Sequence, residues 1–169
     1  MQENWTSRLQ AANILGTNKG PDGAVHIREV VLRILVADDH EAVRKGVCAI
    51  LSARPDLEVC GEAENGKVAI EKAHSLNPDM IILDITMPVL SGFEAAREIR
   101  KTKPRVPILI LSMHESNQLI EEAKKIGVQG YVTKTQVGAT LLHAVDSLLR
   151  NETFFPERPQ PTDPVLRHA

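Results

Sequence analysis

Aromatic residues are scarce here: one Trp, one Tyr and three Phe among 169 residues. So few rings leave little to stack on a flavin, which argues against a coloured cofactor. Cysteine is scarcer still. Cys48 and Cys60 fall in apolar helical and strand contexts and lack CxxC spacing. They read as packing residues in a reducing compartment rather than a disulfide or a thiolate metal pair. Neither sign of charge prevails, the net being −2, so the composition carries no electrostatic footprint for nucleic acid or a membrane surface. No apolar run approaches the length of a membrane span, and Met1 to Gly20 lacks a basic start followed by an apolar stretch. A cytoplasmic location is the expectation.

What is present is an ordinary globular composition, 43% hydrophobic and 25% charged, with room for one domain and tails. Residues 1–30 mix polar residues, Asn, Gly and Pro with one apolar cluster, Trp5, Leu9, Ile14 and Leu15. They read as a flexible or loosely docked extension; a short partner-binding or dimer-forming helix is the alternative. Residues 31–150 carry the regular patterning. Residues 151–169 form a tail with Pro156, Pro159, Pro161 and Pro164, which excludes helix and predicts a flexible or extended linker.

Within 31–150, Val31 to Ala37 is an aliphatic strand ending in Asp38-Asp39. Val43, Val47, Ile50 and Leu51 line one face of a helix over 41–53. A turn at Pro55-Asp56 leads to a short strand, Leu57 to Gly61, and Asn65 can cap the next helix, which Asn77-Pro78 ends. Met80 to Leu83 is a doubly buried strand closing on Asp84, and Pro88 bars further pairing. Ser91 and Glu94 form a capping box for a helix from about Phe93 to Lys101. Ile108 to Leu111 ends in Ser112, a helix over 117–126 stops at Gly127, Gly130 to Thr133 ends in Lys134, and a last helix runs to Arg150. Five strands alternating with five helices predict an α/β fold, a parallel sheet with helices on both faces.

In such a sheet ligands bind beyond the carboxyl ends of the strands, where strand order reverses. Asp38-Asp39, Asp84, Ser112 and Lys134 all terminate strands, so all fall on that edge. With the order 2-1-3-4-5 the reversal lies between the aspartates. Three carboxylates in one crevice repel unless a cation neutralises them or some bind protons. Oxygen ligands with open positions suit Mg²⁺, and Mg²⁺ beside a Lys and a hydroxyl suits a phosphoryl group. A carboxylate can itself be the nucleophile, giving an acyl phosphate, and Asp84 is central among them.

Four motifs then carry a resemblance: Val36-Ala37-Asp38-Asp39-His40, Asp84-Ile85-Thr86-Met87-Pro88 with Gly92, Leu111-Ser112-Met113-His114, and Gly130-Tyr131-Val132-Thr133-Lys134. Residues 31–150 resemble the CheY-like receiver domain of two-component response regulators, a flavodoxin-like (βα)5 three-layer sandwich. The resemblance implies that Asp84 is the phosphoacceptor, served by a sensor histidine kinase or a histidine phosphotransfer protein. It implies Mg²⁺ held by Asp38, Asp39, Asp84 and the Thr86 backbone carbonyl, with Asp38 acting directly or through water. Ser112 would reach the phosphoryl oxygens, Lys134 would pair with them, and Tyr131 would be the aromatic residue whose rotamer follows Ser112. Thr86 and His114 flank this site and could tune dephosphorylation.

The Ser-Met-His run and the stretch Asn151 to Pro156 resemble members joined to a LuxR-type helix-turn-helix domain. Only thirteen residues follow Pro156, so DNA binding is not carried over. The expectation is a stand-alone receiver that switches protein contacts, a monomer or phosphorylation-dependent dimer. A phosphorelay intermediate or a phosphate sink is the alternative, and no catalysis is expected beyond its own phosphorylation and dephosphorylation. An aspartyl-phosphate hydrolase would have a second acid two residues after the nucleophile, where Thr86 stands. A nucleotide binder would need a phosphate-cradling loop, but the first strand–helix turn is Asp38-Asp39-His40-Glu41. Thr135 stands where many receivers have Pro after the lysine, and Met113 is bulkier than the usual small residue. His40, His74, His114 and His143 lack metal spacing, and the basic run Arg97, Arg100, Lys101, Lys103 and Arg105 reads as a solvated helix end.

Overall fold

The structure, a computed structural model, describes residues 31–156 and the backbone of two short strands, Asn18–Lys19 and Val25–His26. These two pair antiparallel. The apolar cluster of the first thirty residues and the chain beyond Pro156 lie outside the described residues.

The principal sheet contains β1 (Leu32–Ala37), β2 (Leu57–Ala63), β3 (Met80–Asp84), β4 (Ile108–Ser112) and β5 (Gly130–Thr133). All four pairings are parallel, in the order β2-β1-β3-β4-β5. Between them run α1 (Glu41–Ser52), α2 (Gly66–Leu76), α3 (Gly92–Thr102) and α4 (Asn117–Ile126). After β5 a 3₁₀ turn, Lys134–Gln136, leads into α5 (Val137–Leu149).

All five residues of β3 are buried, and they alternate between two cores. Ile81 and Leu83 meet Ala69, Ala73, Ala95, Ala96, Ile99 and Ala123 from α2, α3 and α4. Met80 and Ile82 meet Val47 and Leu51 of α1 and Leu141, Val145 and Leu148 of α5. A strand covered on both faces needs an unbroken aliphatic run, which is why Met80–Leu83 contains no polar residue.

The local end signals act as the residue types dictate. Asn65 accepts the Val68 N–H at 2.9 Å, and Asn77 closes α2 in the left-handed conformation, φ 47°. Ser91 and Glu94 form the reciprocal capping box of α3, and Gly127, φ 84°, ends α4.

Two expectations change. β2 runs to Ala63 rather than Gly61, because a register shift between Ile34 and Leu35 lets Glu62 and Ala63 pair with Val36 and Ala37. Arg100 is no solvated lysine-like residue at a helix end. Its guanidinium is half-buried and donates to the carbonyls of Val106 (2.5 Å) and Gly127 (2.9 Å) and to Gln129 Oε1 (2.7 Å). It satisfies backbone oxygens around the ends of α3 and α4, and burial pushes its pKa down to about 10. Of the flexible or extended tail expected after α5, the described residues 151–156 run along the sheet edge. Phe154 forms a parallel bridge with Gly130, receiving the Tyr131 N–H at 2.7 Å and donating to Gln129 C=O at 2.9 Å. The edge of β5 is thereby covered.

Candidate functional site

The carboxyl ends of β1 and β3 place Asp38 and Asp84 side by side, and the turn after β5 brings Lys134 between them. Lys134 Nζ lies 2.8 Å from Asp38 Oδ2 and 3.0 Å from Asp84 Oδ2. All three side chains are at most 5% exposed. Both Oδ2 atoms are buried without a hydrogen-bond donor of good geometry, so their compensation is the charge of Lys134.

Local chemistry holds this arrangement. The Asp38 carboxylate accepts the His40 N–H at 2.9 Å, while its main-chain carbonyl accepts Arg44 Nη1 at 2.7 Å. Arg44 is in turn held by Glu62, Nε to Oε2 2.9 Å. On the β3 side, Gly92 N–H donates to Ile85 C=O at 3.0 Å. A Cβ at position 92 would sit 1.9 Å from the Asp84 carbonyl oxygen, so α3 can begin here only from a glycine. The intervening loop contains Val89 at φ 68°, a left-handed conformation that costs a β-branched residue on the order of 1–3 kcal/mol.

Asp39, at the surface, completes the acidic group. Oxygens of Asp38, Asp39 and Asp84 and a nitrogen of His40 all lie within 4.8 Å of one another. Three carboxylates against the one Lys134 ammonium leave two negative charges, the charge a divalent cation would cancel. The oxygen-rich donor set and its uncancelled charge therefore fit a hard divalent ion such as Mg²⁺.

Burial raises the Asp84 pKa above the ordinary carboxylate range; Lys134 pulls it back, and the Asp38 charge pushes it up again. Burial alone would lower Lys134, but the two aspartates outweigh it and hold the ammonium above its usual pKa. The site thus contains a buried carboxylate beside a lysine that stays charged.

Ser112 ends β4 and is 4% exposed. Its Oγ accepts the His114 N–H at 3.1 Å, while the fully buried Tyr131 donates its OH to the His114 carbonyl at 2.6 Å. Burial raises the Tyr131 pKa, with Ser112 opposing. Ser112 and Tyr131 are therefore joined through the backbone N–H and C=O of one residue of the β4–α4 loop, His114. Met113, in that loop, is 59% exposed. The Thr86 N–H faces the Asp84 carboxylate, and the Lys134–Thr135 peptide bond is trans.

Two participants were not legible from side-chain type alone. His114 acts through its backbone, which no side-chain pattern announces. His40 lacks metal spacing in the sequence, yet its Nδ1 lies 2.8 Å from Asp39 Oδ1. Its place directly after two aspartates was the available signal.

Comparison with known proteins agrees with this geometry. The family model described as the response regulator receiver domain matches residues 34–146. The transcriptional regulatory protein YdfI of Bacillus subtilis (strain 168) is 39% identical over 122 residues, covering 72% of this chain and 57% of that protein. The response regulator protein VraR of Staphylococcus saprophyticus is 36% identical over 124 residues, 73% of this chain and 59% of that protein. The chain thus spans less than two thirds of the length of these relatives. Among solved structures, a LuxR-family two-component response regulator from Aurantimonas sp. SI85-9A1 superposes with a TM-score of 0.71 at 33% identity, covering 73% of this chain and 89% of that one. The response regulator domain of Thermotoga maritima CheB gives 0.67 at 33% identity, over 71% and 97%. A parallel sheet whose acidic edge, lysine turn and relatives all agree leads to one family: the chain belongs to the response regulator receiver domains.

Proposed function

We propose that this receiver takes a phosphoryl group onto Asp84 from a sensor histidine kinase or a histidine phosphotransfer protein and relays the change through protein contacts. The observation that carries the reading is the buried triad in which Lys134 bridges Asp38 and Asp84. In this reading an Asp84 oxygen attacks phosphorus in line while the bond from phosphorus to the donor breaks, leaving an acyl phosphate. Asp38, Asp39, Asp84 and the Thr86 carbonyl would hold Mg²⁺, which when bound neutralises phosphoryl oxygens.

The added group carries about −1.5 to −2 charges. Lys134 is the nearest buried cation and would shift its pairing from Asp38 toward the phosphoryl oxygens. Ser112 would donate its hydroxyl to the same group. That turn withdraws the acceptor of the His114 N–H and releases the loop to which the Tyr131 hydroxyl is bonded. Tyr131 is therefore the readout of Ser112, and the surface formed by β4–α4 and β5 is the one that changes.

Incubation with acetyl phosphate and Mg²⁺ followed by intact-mass measurement tests this. One base-labile phosphoryl addition is expected, absent when Mg²⁺ is chelated and absent in Asp84→Asn. Labelling of Asp84→Asn as strong as that of the unaltered protein would overturn the assignment.

A further inference from the structure

Two adjacent rings, Phe154 and Phe155, straddle the outer edge of the sheet. Phe154 packs on the core beneath α1 and α5, and Phe155 on the core beneath α2, α3 and α4. Neighbouring side chains of an extended segment point to opposite faces, so one dipeptide grips β5 from both. The grip starts from a fixed point. Asn151, left-handed at φ 60°, donates its N–H to the Leu148 carbonyl at 3.0 Å, and the Glu152 N–H donates to the Ser147 carbonyl at 2.9 Å. These bonds finish α5 and turn the chain back onto the sheet.

The backbone it holds is that of Tyr131 and its neighbour. Phe154 donates to the Gln129 carbonyl at 2.9 Å and accepts the Tyr131 N–H at 2.7 Å. The Phe154 ring also lies 5.6 Å from the His143 ring of α5, and Lys124 of α4 stands 5.1 Å from the Phe155 ring centroid. Tyr131 is thus pinned at both ends, its amide by this segment and its hydroxyl by the His114 carbonyl of the β4–α4 loop. Both phenylalanines are only partly buried, which places the segment among those that open before the core does.

A weakly held segment bonded to the residue that reads out a switch responds to that switch. We propose that residues 152–156 are a strap, closed over β5 while Asp84 is free and opened when Asp84 carries a phosphoryl group. This rests on the reading of Asp84 as the phosphoacceptor and Tyr131 as the readout. When Ser112 turns to the phosphoryl oxygens, the His114 loop is released and the Tyr131 hydroxyl loses its anchor. The strand edge to which the strap is bonded then loosens, and the Gln129 carbonyl and Tyr131 N–H are uncovered. Linkage makes the effect mutual, so a weakened strap favours the occupied form of Asp84.

The test uses the full chain with Mg²⁺ and beryllofluoride, which occupies a phosphoacceptor carboxylate reversibly in place of the phosphoryl group. Amide exchange is followed by NMR, and beryllofluoride affinity is measured, in the unaltered protein, Phe155→Ala and Phe154→Pro. The proline removes the N–H that bonds Gln129. Beryllofluoride should quicken exchange at Tyr131 about tenfold in the unaltered protein and leave the β3 amides unchanged. Both variants should show the fast exchange without it and bind it about fivefold more tightly or better. A merely structural strap would give fast exchange in the variants with no gain in affinity. That result, or Tyr131 exchange unmoved or slowed by beryllofluoride in the unaltered protein, would overturn the inference while Asp84 keeps its role. Failure of both beryllofluoride and acetyl phosphate to act at Asp84 would overturn the underlying reading, and the coupling with it.

Discussion

Lys134 is the side chain on which the electrostatics of the site turn. It is 5% exposed and is the cation that offsets two buried carboxylates. Removing one member of such a group leaves charges without compensation, which costs far more than the net worth of the pair. Lys134→Ala should therefore lower unfolding free energy by about 3–5 kcal/mol in urea titrations without divalent ions, and bound Mg²⁺ should return part of it. A loss below about 1 kcal/mol would mean that water already screens the aspartates. Arg100, by contrast, is a half-buried cation whose partners are carbonyl and amide oxygens, so its role belongs to helix ends and not to the site.

Among the elements, the segment after α5 is the one whose sequence reading left two forms open, flexible or extended. Four prolines make the tail look like a linker, and proline does exclude helix. It does not exclude an extended segment laid along a sheet edge. Phe154 is bonded to both Gln129 and Tyr131, and Phe155 packs on the core beside Lys124, whose ammonium lies 5.1 Å from the ring centroid. Phe154→Ala should cost about 1–2 kcal/mol, the worth of a partly buried ring. Amide exchange at Tyr131 should quicken, while amides of β3 keep their rank as the slowest. Unchanged exchange at Tyr131 would show that the segment does not protect this edge.

For the molecule as a whole, pH dependence separates the scaffold from the site. Arg54 binds Asp56 and, from Nη1 at 2.5 Å, Asp146 of α5, joining the turn before β2 to the last helix. Arg54 holds the Asp56 carboxyl below its ordinary pKa. That stabilisation is present above the unfolded-state pKa of about 3.9 and is lost as pH falls through the lower folded-state value. Asp56→Asn should flatten the acid limb of the stability curve and remove about 0.5 kcal/mol at neutral pH, because the pair is partly exposed. Asp84 acts in the opposite sense. Its folded-state pKa is raised, so stability falls as pH rises from the unfolded value through the folded one. The scaffold gains from ionised acids, whereas the site is held against the cost of one. Denaturation curves across pH 3–7 that fail to flatten in Asp56→Asn would remove the pair from this account.

The sequence by itself determined the alternation of strands and helices and the edge to which Asp38, Asp39, Asp84, Ser112 and Lys134 come. Those are consequences of local periodicity, of capping residues such as Asn65 and Ser91, and of parallel strands ending on one side. Packing decided the rest. That Lys134 bridges two particular aspartates, that Arg100 turns inward, and that Phe154 covers β5 each depends on residues far apart in sequence meeting in space. The link from Ser112 to Tyr131 passes through the backbone of His114, and backbone hydrogen bonds leave no mark in side-chain type. His40 likewise acquires its meaning only when β1 and β3 bring Asp38, Asp39 and Asp84 around it. A residue's chemistry can be read in one dimension, but its charge partners are set by the folded chain.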